Sequence, residues 1–197
     1  MGQGNQANDE AALAVRAARE RIAFVMLYDR YFPRVYNYLR ARTGDPHLAD
    51  DLTAQTFEHV LRNIAAYRPE KAPFSSWLFA IARNALNDHL RVVRRRQLLS
   101  LEALRYQPAD RPDMEEHFIQ NESRQALARA LEQLGERERD LVALKFIVGL
   151  NNRQIASLSG LSESNVGVIL YRAMHRLRAL LHGPDLAGME DQRYERA

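Results

Sequence analysis

The residues of this chain with the clearest chemical potential are arginines and aromatic side chains grouped around one helical pattern. The basic residues lie at the end of that pattern, at Arg91, Arg94, Arg95 and Arg96. The aromatic residues lie around a loop bounded by two prolines, at Tyr67, Phe74 and Trp77. Guanidinium groups bind phosphates, and unstacked bases pack on aromatic rings. The grouping therefore indicates single-stranded nucleic acid, although Trp77 by itself is expected in the core.

Polar side chains on the same pattern offer a way to recognise a base. Asn84, Asn87 and Asp88 carry hydrogen-bonding groups that could contact the edge of a base extruded from its stack. The same three residue types are equally ordinary on a solvent-facing helix. Their spacing does not decide between these two interpretations.

A second grouping, between residues 152 and 169, has the pattern of a helix-turn-helix. Ala156 is small enough for a second helix to cross close by, and Gly160 suits a tight turn with positive φ. Ser162 can cap the second helix, whose first turn would then enter a major groove. The apolar residues that would fix the crossing angle are Leu161, Val166 and Ile169. Because these positions agree, the pattern favours DNA binding over an ordinary helical hairpin.

The second helix of this motif ends in a basic stretch. Arg172, Arg176 and Arg178 suit phosphates, which are bound without recognition of sequence. Taken alone, such a stretch is as well explained by a solvated helix face.

Enzyme and metal chemistry find no support in the sequence. The histidines show no paired spacing such as HExxH, and neither a phosphate loop nor a nucleophile elbow occurs. The absence of cysteine excludes thiolate zinc sites and fits a reducing cytoplasm. No apolar run approaches the about 20 residues of a membrane span, and residues 1–10 lack the apolar segment of a signal peptide. We therefore expect a cytoplasmic protein that is not an enzyme, with no metal, no cofactor and no membrane partner.

The elements that must position these residues are helices, because apolar residues recur at spacings of three and four without sustained alternation. Pro33 lies inside the first pattern and could start a new helix. Gly44 should end one helix, and Asp45 and Pro46 should begin the next.

The predicted fold class is all-α, with two small helical domains joined by a flexible acidic linker. Between residues 97 and 123, prolines break the periodicity and six acidic residues stand against two arginines, a composition typical of a flexible connection. The predicted segments are a disordered start at 1–12, a first domain at 13–96, the linker at 97–123, a second domain at 124–182 and a loose tail at 183–197.

Together these motifs resemble the extracytoplasmic-function, or group IV, sigma factors of the sigma-70 family. The resemblance covers about residues 27–181 and depends on the order of four motifs. These are LYDRY from Leu27, DDLTAQTF from Asp50, FSSWLFAIARN from Phe74 and the helix-turn-helix. Each motif alone is degenerate, whereas the ordered set with an acidic linker between two helical domains is specific.

The resemblance implies a function and a set of partners. The first domain is similar to sigma region 2 and the second to region 4, so the chain is expected to bind core RNA polymerase and direct initiation at −10 and −35 promoter elements. Region 4 of this family also docks on the β-flap tip, and the acidic linker resembles the segment that threads toward the RNA exit path. An anti-sigma factor is a further partner implied by analogy.

The resemblance also assigns residues to sites. Those matching the segment that binds the β′ clamp helices are Asp50, Asp51, Gln55 and Phe57. Those matching the −10 contacts are Tyr67, Phe74, Asn84, Asp88, Arg91, Arg94, Arg95 and Arg96. Those matching the −35 contacts are Ser164, Asn165, Gly167, Val168, Tyr171, Arg172 and Arg176.

One departure from the family pattern concerns the −35 contacts. Many relatives have basic or hydroxylic residues where this chain has Gly167, Val168 and Ile169. Recognition of the −35 element would then depend on Asn165, Tyr171, Arg172 and groove shape. Two other classes stay open: a DNA-binding regulator that acts without polymerase, and a helical decoy that binds sigma partners but never directs initiation.

Overall fold

The computed structural model describes residues 3–99 and 118–182, and within them every regular element is helical. The α-helices are α1 (Gln3–Ala17), α2 (Arg21–Thr43), α3 (Pro46–Asn63), α4 (Phe74–Leu99), α5 (Phe118–Glu132), α6 (Glu136–Val142), α7 (Asn152–Ser159) and α8 (Glu163–His182). A short 3₁₀ turn (Ile64–Ala66) follows α3, and a π turn (Ala143–Ile147) follows α6. The all-α prediction is confirmed. The chain divides into two compact units, Met1–Leu104 and Arg105–Ala197.

The first unit is built on the packing of α2 against α3 and of α3 against α4. Gly44 ends α2 with φ of 73°, a left-handed conformation that glycine adopts without strain. Asp45 then caps α3, its side chain accepting hydrogen bonds from the backbone nitrogens of His47 at 2.8 Å and Leu48 at 3.2 Å. Pro46 occupies the first turn, where its missing N–H is not needed. This turn confirms the sequence prediction.

Pro33 does not start a new helix, contrary to one sequence expectation. Helix α2 continues through it from Arg21 to Thr43. Buried residues lie on both sides of the proline, among them Tyr31 and Val35, both 0% exposed. The packing of one continuous apolar face therefore outweighs the single helical hydrogen bond that proline removes.

The predicted segment boundaries differ from the structure at three places. Helix α1 occupies Gln3–Ala17, where a disordered start was expected, because Leu13, Ala14 and Ala17 are buried against the rest of the unit. Helices α4 and α5 extend into both ends of the predicted linker, to Leu99 and from Phe118. The central part of that linker, 100–117, and the predicted tail, 183–197, lie outside the described residues.

The second unit packs α5, α6 and α7 on α8. The guanidinium of Arg139 in α6 donates to the backbone oxygens of Leu131 at 3.0 Å, Glu132 at 2.7 Å and Leu134 at 3.1 Å. These carbonyls belong to the last turn of α5 and the residues after it, where helical hydrogen bonding ends, and the Leu131 carbonyl also accepts from the Leu134 N–H at 3.2 Å. Arg139 thereby fixes the angle at which α5 meets α6.

Candidate nucleic-acid and partner interfaces

Helices α7 and α8 form the predicted helix-turn-helix. Gly160 ends α7 with φ of 70°, and its N–H donates to the Ala156 carbonyl at 3.0 Å. The next N–H, of Leu161, donates to the same carbonyl at 3.2 Å. The hydroxyl of Ser162 accepts from the Asn165 N–H at 3.2 Å and so caps α8. The turn glycine and the capping serine are where the sequence predicts them.

One face of α8 is buried and the opposite face is exposed. The buried residues are Val166, Leu170, Ala173 and Leu177. The exposed residues that the sequence assigned to DNA are Ser164, Asn165, Val168, Tyr171, Arg172 and Arg176. Ser164, Val168 and Arg172 recur every four residues, so they form one line along the outward face. Within this unit, that line is accessible to a DNA groove.

Gly167 differs from the other assigned α8 residues in its surroundings. It is half-buried, and a Cβ built on it would lie 3.9 Å from Nδ2 of Asn152, in the first turn of α7. The Asn152 side chain is itself held by Lys145, whose Nζ donates to Oδ1 at 3.0 Å. Gly167 therefore lies on the side of α8 that approaches α7, rather than on the outward line through Val168.

The aromatic residues near the proline-bounded loop form one cluster with the core of the first unit. Tyr67 is 4% exposed and Phe74 is 2% exposed. Ring centroids of Tyr67 lie 5.5 Å from Phe74 and 5.4 Å from Trp77, and Phe74 lies 5.4 Å from Tyr31. The Tyr67 hydroxyl donates to the Ala72 carbonyl at 3.1 Å, which closes the loop. The two assigned aromatics thus shape the loop from beneath.

The electrostatic state of Tyr67 follows from this position. Burial, and then the nearby carboxylates of Glu10 and Glu70, raise the pKa of Tyr67 to about 12. The phenol is therefore protonated at neutral pH and remains a hydrogen-bond donor to the loop carbonyl.

Helix α4 carries the polar and basic residues on an exposed stripe. Asn84, Asp88, Arg91 and Arg95 are all exposed and recur at spacings of three and four, which places them on one side of the helix. Arg91 pairs with Asp88 across one turn, and both side chains remain largely exposed, at 77% and 65%. Arg94 is exposed on a neighbouring side, and the side chain of Arg96 lies outside the described set.

The acidic residues predicted to contact polymerase lie on the outer face of α3. Asp50, Asp51 and Gln55 are exposed, whereas Phe57 is 6% exposed. The Phe57 ring lies 4.7 Å from Tyr28 in α2, centroid to centroid. Phe57 therefore anchors α3 to α2, and the outward surface of α3 is polar.

Sequence reasoning assigned no residue to a docking surface on the second unit. Phe146 lies in the π turn, and its aromatic side chain is 59% exposed. Phe146 follows the apolar residues Leu141, Val142 and Leu144, all of which are buried. The π turn changes which of the apolar positions face the core, and no residue type in this segment predicts that change.

Among residues 3–99 and 118–182, no group of three or more His, Asp or Glu side chains could hold a metal ion. Nor is any helix in that part of the chain long and apolar enough to cross a membrane.

Each of the two units matches a known family model. Residues 27–96 match the family model of sigma-70 region 2, and residues 124–177 match that of sigma-70 region 4. The chain is 34% identical over 165 residues to the ECF RNA polymerase sigma factor BldN of Streptomyces coelicolor, spanning 83% of this chain and 62% of that relative. It is 30% identical over 154 residues to the ECF RNA polymerase sigma factor SigM of Bacillus subtilis, spanning 78% of this chain and 92% of SigM.

A solved structure is similar in fold as well as in sequence. CnrH, in complex with the cytosolic domain of CnrY, superposes with a TM-score of 0.64 at 25% identity, covering 89% of this chain and 98% of CnrH. The two sequence relatives are sigma factors, which initiate transcription and are not enzymes. The two region models match in order along the chain, and the chain covers 92% of SigM at 30% identity. The chain therefore belongs to the extracytoplasmic-function sigma factors of the sigma-70 family, which direct RNA polymerase to promoters.

Proposed function

We propose that this chain binds core RNA polymerase through its first unit, holds the −35 element with its second unit and stabilises the melted −10 element with α4 and the adjoining loop. The observation that carries the proposal is the outward line of α8, a helix that is capped and positioned by a well-formed helix-turn-helix. A second and separate surface of the chain is the exposed stripe on α4, which carries basic residues. One surface suits duplex DNA and the other suits single-stranded DNA.

At the −10 element, the exposed and the buried residues have different roles. Asn84 and Asp88 are exposed and carry the hydrogen-bonding groups that can select an unstacked base. The basic residues that neutralise the backbone are Arg91, Arg94, Arg95 and Arg96. Tyr67 and Phe74 hold the loop in shape from beneath, so their contribution to base capture is indirect. Unstacking a base costs a few kcal/mol, and these contacts offset it.

At the −35 element, α8 lies with its first turns in the major groove. Asn165 has the amide that can bond adenine at two atoms, and Val168 presents methyl groups that can contact thymine. Ser164 and Tyr171 lie beside them, and Arg172 and Arg176 contact phosphates. Gly167 carries no side chain toward the bases, and it lies on the side of α8 that approaches α7.

The polymerase contacts are divided between the two units. On the first, Asp50, Asp51 and Gln55 contact the β′ clamp helices, and buried Phe57 keeps α3 oriented for that contact. On the second, the exposed ring of Phe146 docks on the β-flap tip. An exposed aromatic ring is a common anchor in protein interfaces.

We infer the regulation and the location of this chain by analogy with its family. We place the chain in the cytoplasm with the polymerase, and we expect an anti-sigma factor to compete for its surfaces. CnrH, whose fold is similar, was solved bound to the cytosolic domain of a second protein. The polymerase supplies all catalysis, and this chain requires no cofactor.

The test is runoff transcription with purified core RNA polymerase on a pool of bacterial promoter fragments, with and without the chain. The expected result is a set of new transcripts whose start sites share −10 and −35 elements. Binding to the β′ clamp without any transcript would identify a decoy. Specific DNA binding without any binding to core would identify a regulator that acts without polymerase, and either result would refute the proposal.

A further inference from the structure

Helix α4 begins without a capping side chain of its own. Its first helical carbonyl belongs to Pro73, which accepts from the Trp77 N–H at 3.1 Å and therefore holds the capping position. Proline has no side-chain oxygen to offer the free N–H groups of the first turn. Ser75 and Ser76, either of which could have capped a helix starting later, lie inside the first turn. The local sequence thus leaves the start of α4 incomplete.

The missing cap comes from α1. Oε1 of Glu10 accepts a hydrogen bond from the Ser75 N–H at 3.1 Å, across 65 residues of sequence. Ser75 is the second residue of α4, and its N–H is one that a capping side chain ordinarily takes. A carboxylate at this end of a helix also interacts favourably with the helix dipole.

Glu10 lies close to the aromatic cluster beneath the loop. Burial, and then the Glu10 carboxylate, raise the pKa of the Tyr31 hydroxyl, and the same carboxylate contributes to the raised pKa of Tyr67. Tyr31 packs on Phe74, the first residue of α4, at 5.4 Å between ring centroids. Glu10 therefore lies beside both the backbone start of α4 and the rings that hold the loop.

We propose that Glu10 is a positioning residue for promoter melting: it fixes the first turn of α4 and, through it, the loop that captures the unstacked base. This inference rests on the function proposed above for that loop. Glu10 lies outside the stretch that matches sigma region 2, residues 27–96, so α1 adds a support that the region 2 match does not include.

The first measurement uses Trp77, the only tryptophan in the chain, which lies two residues after Ser75. Its fluorescence quenching by acrylamide is compared in the full chain carrying Glu10→Ala, Glu10→Gln or Asp9→Asn. Loss of the cap should raise the open population of the first turn by about 2- to 30-fold, and quenching should rise accordingly. Glu10→Gln keeps an acceptor oxygen and should change quenching less. Asp9 and Glu10 line one cleft with Arg30, Tyr31 and Arg34, so Asp9→Asn is the matched control and should leave quenching unchanged.

The second measurement compares open-complex formation by holoenzyme on a duplex promoter and on a pre-melted one. Glu10→Ala should slow opening of the duplex several-fold, leave the pre-melted promoter less affected and leave affinity for core unchanged. A second change, Pro73→Asp, supplies a local cap and should restore opening to the Glu10→Ala chain. If Glu10→Ala does not fold, Glu10→Gln and the rescued double variant carry the same comparison.

The outcomes separate this inference from the proposed function. If the wild-type chain supports no initiation, the proposed function fails and the melting role of Glu10 fails with it, while the Trp77 result still decides whether Glu10 holds the start of α4. If the wild-type chain initiates and Glu10→Ala opens promoters normally, the inference is overturned, whatever happens to quenching. Unchanged quenching in Glu10→Ala would also overturn it.

Discussion

Two glycines in the helix-turn-helix should respond in opposite directions to the same substitution. Gly160 has φ of +70°, and no atom lies within 4 Å of the position that a Cβ would take. Gly160→Ala therefore creates no clash, and its penalty is the left-handed backbone alone, about 1–2 kcal/mol. The lower entropy of the unfolded chain offsets about 0.4–1 kcal/mol of that. We expect a net loss of about 1 kcal/mol in the local stability of α7 and α8.

Gly167 lies inside α8 with ordinary helical geometry. Its added Cβ would lie 3.9 Å from Asn152 Nδ2, which is normal van der Waals contact. Gly167→Ala should therefore stabilise α8 by about 0.5–1 kcal/mol, the difference in helix propensity between the two residues. Each variant differs from the wild-type chain by one added methyl group, so each serves as the control for the other.

The assay is hydrogen exchange by mass spectrometry on peptides from residues 151–182 of the full chain. Exchange should accelerate by roughly fivefold in Gly160→Ala and slow by about 2- to 5-fold in Gly167→Ala, since 1.4 kcal/mol corresponds to about tenfold. Trp77 fluorescence during urea unfolding reports the first unit and should be unchanged in both. If both glycine variants shift exchange in the same direction, the assignment of backbone strain to Gly160 alone is refuted.

Three further predictions concern DNA. Replacing Arg94 and Arg95 with Ala should weaken promoter binding and lower the slope of log K against log salt by about 1.4–1.8, and an unchanged slope would contradict phosphate contact. Asn84→Ala should impair open-complex formation more than core binding, whereas equal loss of both would contradict a role at an unstacked base. Replacing thymine by uracil in the −35 element should weaken binding of the wild-type chain at one base pair and leave Val168→Ala unaffected there, while an equal effect on both would exclude methyl contact.

The parts of the fold that the sequence predicted are those set by neighbouring residues. Gly44 with Asp45, and Gly160 with Ser162, act over two or three positions, so their residue types determine the turn and the cap directly. The helix-turn-helix was predictable for this reason. Its outward face followed from the helical period alone, because the residues in contact with the core recur at spacings of three and four.

The parts that sequence reasoning could not predict depend on distant packing. Nothing in residues 71–76 indicates that the cap of α4 comes from Glu10, because the contact spans 65 residues. Residue type also fails to separate a buried aromatic from an exposed one. Tyr67 and Phe74 are 4% and 2% exposed beneath the loop, whereas Phe146 is 59% exposed. Whether an aromatic ring is buried depends on how helices that are distant in sequence pack together.

The ion pair on α4 is compatible with the DNA contact proposed for Arg91. Arg91 and Asp88 pair across one turn with both side chains largely exposed, and exposed pairs of this kind contribute less than about 1 kcal/mol. A phosphate that approaches Arg91 gains a charge-assisted contact and releases a counterion, and it gives up only that small amount. Under the proposed function, the Arg91 guanidinium turns from Asp88 to the DNA backbone, and the Asp88 carboxylate then becomes available to contact a base.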